Sequence, residues 1–218
     1  MEEKRLVDLS HLIEAGMTTY KGLPGPHICD FWEREASRAF YDDGSTFQIG
    51  RIDMVANTGT YLDAPFHRYA EGDDLAALAL ERLATLPGIV IRSGEMAVDA
   101  GAFEPRDLAG KAVLVHTGWD RHWRTGAYYE NHPFLTEAAA RLLAERRVRL
   151  VGIDSHNIDD TRGRSRPVHT ILLGAGVLIC EHMTNLGALP DDGFAFTAVP
   201  PKIAGMGTFP VRAFAEIG

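Results

Sequence analysis

The sequence predicts a mixed, strand-rich α/β domain, and three observations carry that prediction. Short runs rich in Val, Ile and Leu recur from one end of the chain to the other. One clear amphipathic helix stands directly before the apolar run Leu150-Val151-Gly152-Ile153, a βαβ-like signal. No internal repeat, low-complexity block or Ser/Gly-rich linker divides the 218 residues, so 1–218 reads as a single domain. Taken in order, strands are expected at 6–9 and at 47–57, the latter alternating well enough to read as one long strand. Others follow at 88–92, 111–117, 149–154, 177–180, 194–199 and 210–214. The clear helix is 136–147. Thr136 suits its N-cap, Glu137 the positive end of its dipole, and Ala138, Leu142 and Leu143 its apolar stripe. Shorter helices are expected at 75–83, 119–124 and 168–173.

With 45% hydrophobic residues the chain can bury a sizeable core. Its formal net charge of −8 argues against nucleic acid and against anionic membranes, since no basic field attracts phosphates. Only Cys29 and Cys180 occur, with no CxxC pairing, so neither a disulfide framework nor a thiolate zinc site is expected. Cys180 sits in an apolar run and reads as a small hydrophobe. The charged start Met1-Glu2-Glu3-Lys4-Arg5 precedes no apolar leader, and no run approaches the roughly 20 residues that span a bilayer. A cytoplasmic location is the expectation.

Chemistry concentrates in the stretch from Asn57 to His67, Asn-Thr-Gly-Thr-Tyr-Leu-Asp-Ala-Pro-Phe-His. It follows an expected strand and places polar groups close together without helical periodicity, as an ordered loop on a scaffold does. The same residues also suit a Gly/Thr/Asp/Pro turn in which Asp63 caps backbone amides. Composition alone leaves both readings open.

The stretch resembles the signature of the cyclase family that includes bacterial kynurenine formamidase and isatin hydrolase, His-x-Gly-Thr-His-x-Asp-x-Pro-x-His. Gly59, Thr60, Asp63, Pro65 and His67 stand in the matching places. Asp8-Leu9-Ser10-His11, His116-Thr117-Gly118-Trp119, Gly152-Ile153-Asp154-Ser155, His169-x-x-Leu172-Leu173 and Glu181-x-x-x-Asn185-Leu186 extend the resemblance along the chain. It implies a swivelling β/β/α domain, a mixed barrel-like sheet flanked by helices, assembled as a homodimer or homotetramer. It also implies a metal set of Asp63, His169 and Glu181. Asn57 and Tyr61 replace the two histidines that hold a first ion in metal-binding members, so one divalent ion, Zn²⁺ or Mn²⁺, is expected, Mg²⁺ also suiting an oxygen-rich set. The alternative is a metal-free site in which Asp63 and Glu181 push their pKa values apart.

The activity implied is hydrolysis of an amide, cyclic amide or lactone bond in a small cyclic or aromatic metabolite. Asp63 would hold metal or act as base, and His67 would move protons. Tyr61 and Asn57 would orient the carbonyl, with Tyr61 able to donate to an oxyanion. Trp119 and His156 are the expected substrate contacts. His11 and His116 are weaker candidates at strand ends, His182 should point away from Glu181 along an extended strand, and His122 and His132 read as surface residues. Trp32 and Trp123 suit either a pocket or a core. The rivals are a metal-independent cyclase or dehydratase working by acid–base chemistry, and a non-catalytic small-molecule binding protein. No GxSxG, P-loop, HExxH or GxGxxG motif supports a serine hydrolase, NTPase, zincin or dinucleotide enzyme.

Overall fold

The computed structural model describes residues 4–218, and the expectation about a leader falls partly on residues 1–3, outside the described residues. In chain order the strands are β1 Arg5–Asp8, β2 His27–Trp32, β3 Ile49–Asp53, β4 Tyr61–Asp63, β5 Leu86–Arg92, β6 Ala97–Val98 and β7 Ala112–His116. They continue with β8 Phe134–Leu135, β9 Leu150–Ile153, β10 Leu178–Glu181, β11 Phe194–Thr197, β12 Thr208–Pro210 and β13 Phe214–Ile217. The helices are α1 Arg34–Ser37, α2 Glu137–Glu145 and α3 Pro167–Gly174.

Nine strands form one sheet in the order β1-β13-β11-β5-β7-β9-β10-β4-β12. Its centre, β5-β7-β9-β10, is parallel, and the strands on either side join antiparallel. Both faces of the centre are buried, so these strands read as continuous apolar runs. Ala112 and Leu114 belong to the core on one face, together with Leu62, Leu178 and Cys180. Val113 and Val115 turn to the other, where Ala139 and Leu143 of α2 and Leu172 of α3 cover them. Thr136 caps α2 as expected, its hydroxyl accepting from the Ala139 amide at 3.1 Å. The buried stripe is shifted by a residue from expectation: Ala139 and Ala140 join Leu143, while Ala138 is exposed.

The link between β12 and β13 dictates the shape. In a flat sheet these strands would stand seven spacings apart, about 34 Å at roughly 4.8 Å each. The chain from Pro210 to Phe214 reaches only about 15 Å. The sheet therefore curls into a half-barrel, and the link is pinned inside it: Val211 N–H donates to Thr60 O at 2.9 Å and Ala213 N–H to the Ser10 hydroxyl at 2.7 Å. The expected strand 210–214 is thus the corner between two strands, and the apolar residues Val211 and Ala213 are buried there for packing. The expected strand 47–57 also ends early, at Asp53, because the Thr58 hydroxyl turns the chain by donating to Val55 O at 2.6 Å. β2 and β3 form a separate hairpin whose Phe31, Trp32, Ile49 and Ile52 are exposed. The expected helices 75–83 and 119–124 are single 3₁₀ turns, Leu80–Arg82 and Trp119–His122, whereas α3 matches its expectation closely. Among the described residues no helix is long and apolar enough to cross a membrane.

Gly207, just before β12, lets the strand lie against the Pro65–His67 turn: Ala64 N–H donates to Gly207 O at 2.7 Å. A Cβ at Gly207 would collide with the backbone of that turn, standing 2.6 Å from the His67 Cα. Gly207→Ala should therefore lower stability by about 1–3 kcal/mol, as overpacking does. Thermal unfolding measures it, and an unchanged midpoint would refute the close approach.

Candidate active site

Antiparallel register brings the first groups together. Tyr61 of β4 lies directly opposite Glu181 of β10, and Asp63 directly opposite Thr208 of β12. Residues so paired share one face of the sheet, and Tyr61 and Asp63, two apart, share it as well. The Tyr61 hydroxyl accordingly donates to Glu181 Oε2 at 2.6 Å, while Ile158 N–H donates to Oε1 at 2.6 Å. The Thr208 hydroxyl donates to Asp63 Oδ1, and its oxygen stands 2.7 Å from His67 Nδ1. Asp63 is wholly buried, and its other oxygen, Oδ2, has no hydrogen-bond partner.

His169 enters from the first turn of α3. Its Nδ1 lies 2.6 Å from Asp159 Oδ2, and the same carboxylate accepts the backbone amides of Val168 and His169 at 2.7 and 3.0 Å. Asp159 so caps the helix and fixes the imidazole, the outer partner that metal-ligating histidines usually have. His169 Nε2 is left facing the acids, 3.6 Å from Asp63 Oδ2 and 3.6 Å from Glu181 Oε1. Donors about 2.1 Å from a tetrahedral ion stand about 3.4 Å apart. These spacings, and the orphaned Asp63 oxygen, fit one small divalent ion. Asp63, His67 and His169 also offer donor atoms within 4.8 Å of one another. The structure thus brings together Asp63, His169 and Glu181, the expected set, and adds His67 as a further nitrogen donor.

The electrostatics favour a cation there. Burial works against a charged His169, yet Glu181, Asp159 and Asp63 together hold its pKa above the ordinary value. Burial raises Glu181, and the nearby Asp63 charge adds to the rise although His169 opposes it. Burial, Glu181 and Asp63 likewise push Tyr61 far up, so its phenol stays protonated. That O–H is committed to a hydrogen bond with Glu181, so the expected donation to an oxyanion has no free proton in this arrangement.

A cavity of about 230 Å³ opens above these groups, lined by Tyr61, His67, His169 and Glu181. Asn57 lines it as expected. Trp119 and His156, the other expected substrate contacts, are not among its lining residues. Trp119 is turned aside, its indole N–H donating to Tyr128 O at 3.0 Å. His156 lies buried behind Tyr20, their ring centres 4.8 Å apart, in a layer with Tyr128, His132 and His182. His132 is buried, not a surface residue, and His122 is partly covered by Trp119. His182 leaves the strand with φ of 54°, so it is not extended, and packs edge-on to Trp123. Trp123 stacks on His11 at 4.0 Å, and Trp32 lies out on the hairpin. Burial lowers His11 to about 4 and His156 to about 3, so this layer is neutral near pH 7.

The sequence reading missed Tyr20, Arg68, Asn157 and Arg166 on the cavity wall, and Thr208 and Asp159 behind it. Only Asp159 left a signal, as an acid ahead of a Pro-initiated helix carrying a ligand-type histidine. Arg68 and Asn157 stand next to His67 and His156, but which neighbour turns to the cavity is set by side-chain direction, and Tyr20, Arg166 and Thr208 come from segments far away in the chain.

Comparison with known proteins places this geometry. The Cyclase family model matches residues 7–160. A kynurenine formamidase of Geobacillus thermodenitrificans is 29% identical over 173 residues, covering 78% of this chain and 81% of that one. The structure described as a potential metal-dependent hydrolase with cyclase activity superposes with a TM-score of 0.81 at 26% identity, covering 99% of both chains. Isatin hydrolase A from Labrenzia aggregata, bound to benzyl benzoate, shares the fold with a TM-score of 0.81 at 23% identity, covering 98% of this chain and 94% of its own. With the family motif at Gly59–His67 built into a buried acid–histidine centre, the chain belongs to the cyclase family and is a hydrolase of that family.

Proposed function

We propose that the chain hydrolyses an amide, cyclic amide or lactone bond of a small cyclic or aromatic metabolite, in the manner of an arylformamidase. The observation that carries this reading is the buried Asp63 carboxylate, whose unpartnered oxygen faces His169 at the base of a small cavity. The formamidase relative supports the aryl amide class. Asp63, His169 and Glu181 would hold one divalent ion, Zn²⁺ or Mn²⁺, with His67 as a further donor. When bound, such an ion supplies positive charge that polarises the scissile carbonyl.

The chain's own groups do the rest. Asp159 holds His169 in the tautomer that presents Nε2 to the centre. Thr208 keeps Asp63 and His67 in register through one hydroxyl. His67, with a third of its side chain exposed, is placed to carry a proton to the departing nitrogen or oxygen. Tyr61 holds Glu181, and Asn57 offers its amide to the substrate carbonyl. Tyr20 and Leu23 give the cavity an apolar wall. A homodimer or homotetramer belongs to the same proposal, with the exposed apolar side chains of the β2–β3 hairpin as its candidate contact.

Asp63→Asn keeps the shape and loses the charge. It should lower kcat/KM at least about a hundredfold, some 2.7 kcal/mol of transition-state stabilisation, with circular dichroism unchanged. Retention of more than about a tenth of the wild-type rate would remove Asp63 from the mechanism. Elemental mass spectrometry should find about one divalent ion per chain, lost in Asp63→Asn and in His169→Ala, and chelation should stop turnover until Zn²⁺ or Mn²⁺ is restored. Full activity in metal-free protein would instead support acid–base chemistry by Asp63, Glu181 and His67. Tyr61 in a histidine position favours a second reading, a cyclase or dehydratase. Oxygen from labelled water should enter the product of a hydrolase, and its absence would favour this rival.

A further inference from the structure

Thr208 lies outside the motif, 141 residues beyond His67, and its hydroxyl touches two groups of the centre at once. Antiparallel pairing sets it directly across from Asp63 on the edge strand β12, where it is buried. Its oxygen stands 2.7 Å from His67 Nδ1 and also bonds Asp63 Oδ1. A hydroxyl has one proton to give and lone pairs to offer, whereas an ionised carboxylate can only accept, so the proton goes to Asp63. Turned the other way, it would leave two oxygens facing each other with no proton between them, beside an Asp63 whose second oxygen already lacks a partner. The hydroxyl lone pairs then face Nδ1, which can bond them only as N–H. Asp63 Oδ1 itself is 3.6 Å from Nδ1, beyond hydrogen-bond reach, so the hydroxyl is the bridge.

The consequence lies on the other side of the ring. A neutral imidazole with its proton on Nδ1 has a bare lone pair on Nε2. His67 lines the cavity, and among the described residues its ring makes one hydrogen bond, the one at Nδ1. We propose that Thr208 is a positioning residue that fixes the tautomer of His67, so that His67 meets the substrate as a base at Nε2. Water gives a proton to Nε2 while its oxygen forms the new bond to the scissile carbonyl carbon. That proton then passes to the departing nitrogen or oxygen as its bond to the carbon breaks, and the bonding pair leaves with it. His67 ends neutral, its Nδ1 proton still held by Thr208. One nitrogen cannot serve an ion and a proton at once, so Asp63, His169 and Glu181 hold the ion here and His67 the proton. A β-branched side chain, stiff at its first torsion, suits a hydroxyl that must meet two partners. This inference rests on the hydrolytic reading of the same cavity.

Two variants separate the hydroxyl from its bulk. Thr208→Val keeps the shape and loses the bridge, whereas Thr208→Ser keeps the bridge. With formanilide as substrate, Thr208→Val should lower kcat about 10–100-fold with KM little changed, as removal of a group that orients a histidine does. Thr208→Ser should recover most of that loss. The second readout is the ring itself, by NMR of protein with isotopically labelled histidine, saturated with Zn²⁺ in mildly alkaline buffer. The His67 signals are assigned by their loss in His67→Gln. Wild-type His67 should carry its proton on Nδ1, and Thr208→Val should move it largely to Nε2. A wild-type proton on Nε2, a tautomer unchanged in Thr208→Val, or a kcat there above about half the wild-type value would overturn the proposal. If formanilide and other small amides are not cleaved, the hydrolytic reading fails and the spectra alone decide what Thr208 does. A shifted proton in Thr208→Val then upholds its control of the tautomer, and an identical spectrum sinks it.

Discussion

Asp63 ends the three-residue strand β4, between β10 and β12, with no access to water, and a carboxylate there is costly unless its surroundings compensate. The arrangement around it is what that requirement demands. Thr208, across the ladder, donates to one oxygen, and His169 brings a ring nitrogen towards the other. Glu181 stands on the neighbouring strand in the same plane of side chains, so the acids would repel were there no positive group between them. A protonated His169, or a divalent ion with three or four donors, answers the same need. The site is built as an anionic cage, and its chemistry follows from what fills it.

That cage depends on the curvature of the sheet. β4 and β12 approach the strands at the opposite edge because a short link joins β12 to β13, and the link is tied to Thr60 and Ser10 by backbone amides. Thr60 in turn bonds the His182 carbonyl at 2.6 Å and receives the His11 amide at 3.0 Å. One threonine of the motif therefore knits the N-terminal segment, β4 and the end of β10 together immediately beside Asp63. Its neighbour Gly59 has φ of 66° and meets Ile13 closely, so a residue with a side chain would be strained and crowded there. The Gly-Thr of the motif is thus structural, and the Asp and His that follow are the groups to which the proposed reaction gives the chemistry.

The replacement of histidine by Tyr61 shows how substitution changes a centre without emptying it. A buried phenol with a strongly raised pKa stays protonated, so it is a poor ligand, and its O–H donates a hydrogen bond to Glu181. Behind it lies a layer of neutral imidazoles and tyrosines, which burial keeps uncharged and which insulates the cage from solvent on that side.

The sequence by itself determined the strand-rich α/β class, the helix capped by Thr136, and the motif residues Asp63 and His67, because these are local: propensity, capping and a contiguous signature need no knowledge of distant contacts. It also pointed to His169 and Glu181, through resemblance. Only the tertiary structure decided that residues 210–214 are a corner, since that conformation comes from pairing with the chain near Ser10 and Thr60 more than a hundred residues away. Only it decided that Tyr61 serves Glu181, that Asp159 fixes His169, that Trp119 turns from the cavity, and that Arg68 and Arg166 stand at its mouth. Side-chain direction and long-range register set those roles, and neither is written in the spacing of residues along the chain.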